Sequence, residues 1–538
     1  MTVTDRVERV ELLITPLTPV HVGAGEDFDP TGYVIHEGFL YHFDPAALPL
    51  DAGERRTLAA CANKPGGDAI LALQRFFHER TAKCVAAARL TVPVVPGVAE
   101  QYRARVGQTA QREAGGRDVI NALTIERTAH HPHTGLPYLP GTSLKGAMRT
   151  AWLDSLNQGR RREDKERASE LERRLMAGSF HTDPFRLVGL TDAAGDDTLA
   201  QVFFATNHKK RPVVRDGREL TGRGPAARRE CIAPAQHAAL RSTLTLRQLA
   251  GHRAGTDGPD PRRGPADWVS LAAACNRYYL GRMRRELDLV DTRRLVSPTW
   301  LQQIRALVGM LQPSLAGGDA VLLRVGRHSG AESVTLDGVR EIRIMKSPGK
   351  PAAMGSEATT VWLAAARENA RSDMLPYGWV LAHRAEVDLP ALRQWCGVQP
   401  RPDVEAARAR LRQAREAEAH AADEAATRDA ERRAQIAAQE EAAARERARL
   451  ASLTAEGRDV ESLRQQLEGY KAARKQPVGG QLYAAVRSLV QRAEKEPWAA
   501  ADRRELAKLL RTLVPEKIDL GGKAKELRDA ARRLDEAP

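Results

Sequence analysis

The stretch Tyr138 to Leu153, YLPGTSLKGAMRTAWL, sets a proline, two glycines, a lysine and an arginine around what reads as the first turn of a helix. From Leu144 onward the apolar positions Leu144, Ala147, Met148, Ala151 and Trp152 recur at three and four, so one face of that helix is buried. Lys145 and Arg149, four apart, occupy a neighbouring face and can point together at one target. Pro140-Gly141 gives a tight turn into the helix, Thr142 or Ser143 is the natural N-cap, and free backbone N–H groups at a helix start attract anions. The segment can therefore build an anion site from backbone and two cations. It is not a nucleotide P-loop, which needs Lys directly after its second glycine and then Ser or Thr; here Lys145 precedes Gly146 and Ala147 follows it. On physics alone, a capped helix with two surface cations fits the same residues.

The 538 residues exceed one ordinary domain, so two or three compact units are expected. Hydrophobic residues make up 42% and charged residues 28%, a soluble composition. With no apolar run of about eighteen residues and no signal-like block at the start, the default compartment is the cytoplasm, without a membrane partner. The five cysteines, Cys61, Cys84, Cys231, Cys275 and Cys396, are widely spaced and odd in number, which suits neither a disulfide framework nor a zinc site. The formal charge of +14 points toward a polyanion; residues 401–538 carry +4 of it, so about +10 lies in the first 400 residues. A basic composition occurs as well in proteins that never touch nucleic acid.

The order of elements reads as α+β. ELLIT is a strand, GYVIHEGFLYHF two short strands around Glu37-Gly38, and Ile70, Leu73, Phe76, Phe77 and Val85 mark helix; LTVPVV and INALTIERT are further strands. QVFFAT, AVLLRVG, EIRIM, TTVWLAAA and YGWVLAHRAEV repeat similar ingredients between 201 and 395. The expected division is 1–200 and 201–395 as two related α+β halves, 396–475 as a solvated Ala/Glu/Arg-rich helix, and 476–538 as a small helical domain. Asn207 to Glu230 carries eight basic and three acidic residues with glycines and prolines, a loop or hairpin suited to a phosphate backbone or simply a solvated insertion.

PYLPGTSLKGAMRTAWL resembles the glycine-rich motif of the RAMP superfamily, the RNA-binding proteins of CRISPR systems. LLITPLTPVHVGAGEDFDPTGYVIHEGFLYHF and HTDPFRLVGLTDA are similar to motifs of the RAMP subunits that end the crRNA-bound filament of type III-A (Csm) complexes. The resemblance covers about residues 8 to 395. It implies a tandem ferredoxin-like (RRM-like) architecture with a C-terminal all-helical extension, and a crRNA-binding subunit that is not itself an enzyme and needs no cofactor. It places Gly141, Thr142, Ser143, Lys145, Gly146 and Arg149 against the RNA backbone, with His21, Gly23 and Gly25 in a second glycine loop. The implied partners are crRNA, target RNA, the repeated backbone RAMP subunit and a helical small subunit, with roles in capping the crRNA 3′ end, crRNA maturation, assembly and target binding.

Other residues offer competing chemistry. His21 could act as a general acid or base, or Asp27 or Asp29 could assist cleavage with a cation, giving a RAMP-type endoribonuclease as the alternative; another RAMP subunit of a related type III complex is a third reading. His130, His131 and His133 lie in a Pro/Gly turn without metal-ligand spacing. RVGRHSGAESVTL, with Arg324, Arg327 and His328 around Gly326 and Gly330, reads either as a second RNA-contacting loop or as a plain glycine turn. Trp379 is expected in the core.

Overall fold

The computed structural model describes residues 6–112, 118–120, 123–215, 218–219, 226–249, 258–344, 351–471 and 473–536. The chain divides into two compact units, 1–419 and 420–538.

The strand Arg6–Pro16 organises the first unit. Its alternation buries Val10, Leu12 and Ile14, and it pairs antiparallel with Leu240–Gln248 on one side and Trp379–Arg384 on the other. Ala320–Arg324 and Val188–Leu190 complete a five-stranded antiparallel sheet. With other elements interspersed, strand 6–16, helix Gly141–Asn157, strands 188–190 and 240–248, helix Trp268–Thr292 and strand 320–324 come in the order β-α-β-β-α-β of a ferredoxin-like unit, with Trp379–Arg384 inserted in the sheet. Tyr279 ties its two helices, its hydroxyl donating to Ala147 O at 3.1 Å.

A six-stranded sheet runs in the order Leu375–Pro376, Thr360–Ala365, Ala200–Lys209, Ala227–Ile232, Ile125–Thr128 and Gly23–Phe28. Only the contact between Ala227–Ile232 and Ile125–Thr128 is parallel. Both sheets draw strands from either side of position 200, so the expected halves 1–200 and 201–395 interleave, because the N-terminal strand is central rather than confined to its own half.

Tyr33–His36 and Phe39–His42 form the expected hairpin, with positive φ at both Glu37 and Gly38 in the two-residue turn; Leu90–Pro93 adds a third strand. The helices Gly67–Glu79 and Thr81–Ala86 pack Phe76, Phe77, Cys84 and Val85 beneath it. Helices Trp268–Thr292 and Pro298–Met310 lie outside the expected elements. Trp379 is fully buried, as expected, with its indole N–H on Glu286 at 2.7 Å.

The helix Val404–Ser452 runs 49 residues. Near its start Ala407 is buried with Leu411 and Ala414 against the hairpin module, and Arg415 donates to Ala88 O at 2.8 Å. Its later turns are exposed and carry ion pairs such as Glu424–Arg428 and Glu441–Arg445. In the second unit, helices Ala455–Gly469, Gln481–Lys495, Ala500–Arg511 and Ala524–Glu536 enclose a core of their own, including Leu467, Val486, Leu506, Val514 and Ala531. No described helix is long and apolar enough to cross a membrane.

Candidate nucleic-acid interface

The helix Gly141–Asn157 begins two to three residues earlier than expected. Pro140 is the N-cap, and Thr142 and Ser143 lie inside the first turn without capping hydrogen bonds. A carboxylate from elsewhere takes the cap's place: the Gly141 N–H donates to Asp192 Oδ1 at 2.7 Å, while Ser143 N and Leu144 N both use Pro140 O. That close approach requires the glycine, since a Cβ at 141 would lie 2.6 Å from Leu190 O and 2.7 Å from Thr191 O.

Leu144, Ala147, Met148 and Ala151 face the core as the spacing predicts, and Trp152 rests half-buried with its indole N–H on Arg263 O at 2.9 Å. The two cations do not behave alike. Arg149 is bound within the chain, to Glu172 at 2.8 Å and Asp183 at 2.7 Å. Lys145 is half-buried and has no ion pair among the described residues. Burial holds the Lys145 ammonium below its usual range, Asp183 opposes that, and Arg186 and Arg149 add to it. Thr142 and Gly146 are exposed on the same side, and a Cβ at Gly146 would touch nothing. Asp183 and Asp192, whose roles no local sequence pattern announces, are therefore what fasten the glycine-rich helix at its two ends of contact: Asp183 holds Arg149 and Asp192 holds Gly141.

The second glycine loop meets this one through Ala129, whose N–H donates to Val22 O at 2.7 Å and whose carbonyl accepts from Tyr138 N at 3.0 Å. Gly23 and Gly25 are exposed on the edge strand Gly23–Phe28. His21 is not: it is 0% exposed, its Nδ1–H donates to Glu230 O at 2.6 Å, and its Nε2, without a hydrogen-bond partner, lies 4.0 Å from Glu126 Oε2. Burial pushes its pKa down to about 4, so the ring is neutral at pH 7. It orders the loop from within and offers no surface to RNA. Beside it, burial raises the Glu230 carboxyl to about 7 against the pull of Arg127. Asp29 accepts from Thr31 N at 2.8 Å in a local turn.

The loop around Gly326 packs on His21. Arg327 N donates to His21 O at 2.7 Å, and Gly326, at φ 82°, could not carry a Cβ, which would lie 2.4 Å from the same oxygen. Arg327 remains largely exposed while binding Glu126 at 2.8 Å, and Arg229 pairs with that carboxylate too. Arg324 differs: it is 6% exposed and committed to Glu286 at 2.6 Å and Tyr377 O at 3.0 Å, so this cation supports the core instead of facing outward as expected. His328 is stacked 4.4 Å from Trp362, and burial lowers its pKa to about 3.

Of the basic stretch 207–230, residues 216–217 and 220–225 lie outside the described residues. The remainder leaves on strand 200–209 and returns on strand 227–232, with a short ladder of Val214–Arg215 against Arg218–Glu219 between. Lys210 is paired with Glu332 at 2.6 Å, Arg228 binds Gln101 at 2.6 Å, and Arg229 is buried on Glu126. These three cations serve the fold. His130 donates Nδ1–H to Thr128 O at 3.0 Å and lies 3.4 Å from Glu26. A cleft of about 1040 Å³ opens beside Tyr138, but Asp192, Asp196 and Asp197 line it together with Arg241 and Arg401, a mixed charge that does not favour a polyphosphate.

Residues 13–247 match the family model of the RAMP superfamily. Two curated relatives, both named CRISPR system Cms protein Csm5 and from Mycobacterium tuberculosis strains CDC 1551 / Oshkosh and ATCC 25618 / H37Rv, are 26% identical over 242 residues. The match covers 42% of this chain and 63% of those relatives, so the chain spans under two thirds of their length. Among solved structures, a chain of the cryo-EM Csm–crRNA–target RNA ternary complex of a type III-A CRISPR-Cas system has a TM-score of 0.41 at 16% identity, over 70% of this chain and 100% of that one. The crystal structure of T.onnurineus Csm5 has a TM-score of 0.40 at 17% identity, over 69% and 99%.

Proposed function

We propose that this chain, RAMP-superfamily over residues 13–247 and similar to Csm5, is a crRNA-binding subunit of a type III-A CRISPR complex that caps the crRNA at its 3′ end. The observation that carries the reading is the outer face of the Gly141–Asn157 helix. Among the described residues Lys145 makes no ion pair, and the exposed Thr142 and Gly146 leave room for a backbone to approach. Cations and small residues of this kind recognise phosphate and sugar, so binding is indifferent to guide sequence. The exposed Gly23, Gly25 and Arg327 extend the same surface.

Arg149 enters as a brace: it fixes the helix through Asp183 and Glu172 while Lys145 meets the phosphate. The neighbouring partners are the repeated backbone RAMP subunit and, for the helical unit 420–538, a helical small subunit; the complex works in the cytoplasm on target RNA. The ferredoxin-like succession around strand 6–16 supports one half of a tandem RAMP architecture, with the second sheet proposed as the other. His21 is not assigned as a reacting group, since its burial removes it from contact with a ribose.

Assembling the type III-A complex on crRNA bearing photoreactive uridines at single positions tests this. Adducts to the peptides carrying 138–153 are expected from the 3′ part of the guide. Adducts confined to the 5′ end, or none, would remove the capping role.

A further inference from the structure

We propose that Phe180 is a stacking platform for a base of single-stranded RNA, beside the Lys145 and Arg186 cations that hold its backbone. The inference rests on the RNA-binding reading and adds a base contact to a site so far described by phosphate contacts alone.

Phe180 is 79% exposed, the most exposed of the large apolar side chains among the described residues. A lone surface phenyl is ordinary, but this one is presented by a fixed turn. Thr182 N donates to Ser179 O at 3.0 Å, and Ser179 N donates to Thr182 Oγ1 at 2.8 Å. The next residue, Asp183, caps the following turn through Phe185 N at 2.8 Å and holds Arg149 of the glycine-rich helix at 2.7 Å. The turn that carries the ring is thereby tied to the helix that carries Lys145. Arg186, itself exposed, has its guanidinium 5.8 Å from the ring centroid, and His181 meets the ring edge-on at 5.2 Å.

An aromatic face flanked by cations and held rigid is how proteins bind single strands without reading sequence, because every base has a π-face and every nucleotide a phosphate. Such a contact predicts two separable energetics. The cations carry salt dependence, and the ring does not.

The full chain is titrated with unstructured, end-labelled oligouridine and oligoadenosine RNA. Phe180→Ala is expected to weaken both by about 5- to 150-fold with the salt slope unchanged. Phe180→Leu should fail to restore affinity, whereas Phe180→Trp should restore it and show indole emission quenched by RNA relative to wild type. Equal thermal transitions for the variants establish that this exposed position leaves folding intact. Wild-type affinity in Phe180→Ala, or rescue by Phe180→Leu, overturns the stacking role. So does Phe180→Ala leaving RNA affinity intact while weakening assembly with other subunits, which would make the ring a protein contact. Failure of the wild-type chain to bind RNA at all would instead bring down the RNA-binding reading itself.

Discussion

At the scale of single residues, His21 and Glu230 oppose each other in their response to pH. The unfolded chain takes up a proton at His21 near pH 6.5, but the folded chain does so only at about 4, so stability falls as pH drops through that window. Glu230 acts in the other direction: the folded chain keeps its proton up to about pH 7, whereas an ordinary Glu loses it near 4.5, so stability falls as pH rises between those values. Replacing Glu230 by Gln removes this opposing contribution. Denaturant titrations of Glu230→Gln should lose about 3 kcal/mol between pH 6.5 and 4 through His21, and more with His328, whose pKa is lowered to about 3. A flat profile would mean that His21 is not buried neutral. Gly146 gives a second residue-scale prediction. Its exposed mid-helix position accepts a methyl without contact, so Gly146→Ala should stabilise the fold by about 0.5–1 kcal/mol in thermal melts while weakening RNA binding.

At the scale of elements, the Gly141–Asn157 helix is the informative case. Its apolar stripe, and therefore its buried face, is legible from spacing at Leu144, Ala147, Met148 and Ala151. The split between its cations is not, because Arg149 is satisfied by Glu172 and Asp183, 23 and 34 residues away. The N-cap is misplaced for the same reason: Asp192 arrives across 51 residues and relieves Thr142 and Ser143 of capping. Arg324 and Arg229 are also charges whose burial partners no local pattern announces. By contrast, the Trp268–Thr292 helix carried a readable signal, with Leu271, Cys275, Tyr278, Arg282 and Asp267 capping Ser270 N. The two cations predict different phenotypes. Arg149→Ala should lower stability by about 1 kcal/mol and loosen the Asp183 turn, measurable by urea denaturation, whereas Lys145→Ala should leave stability unchanged.

At the scale of the molecule, strand 6–16 explains why sequence reading finds most strands but not their grouping. Pairing with residues more than 200 positions away is a tertiary choice, and similar strand ingredients on both sides of residue 200 conceal the interleaving. The helical unit is easier, because its apolar positions form a core of their own, although Val460, Leu463 and Leu467 carry that core back from the expected start at 476 into the stretch read as a solvated helix. Residues 1–419 should therefore fold without 420–538, retaining a cooperative melt and RNA affinity; loss of soluble folded protein on that truncation would count against the division.

If Lys145 meets an RNA phosphate, the salt dependence of binding carries its signature. For the full chain, the slope of log affinity against log salt should be about 1 less steep in Lys145→Ala than in wild type, equally for unrelated guide sequences. An unchanged affinity and slope, with the chain folded, would mean that Lys145 makes no phosphate contact.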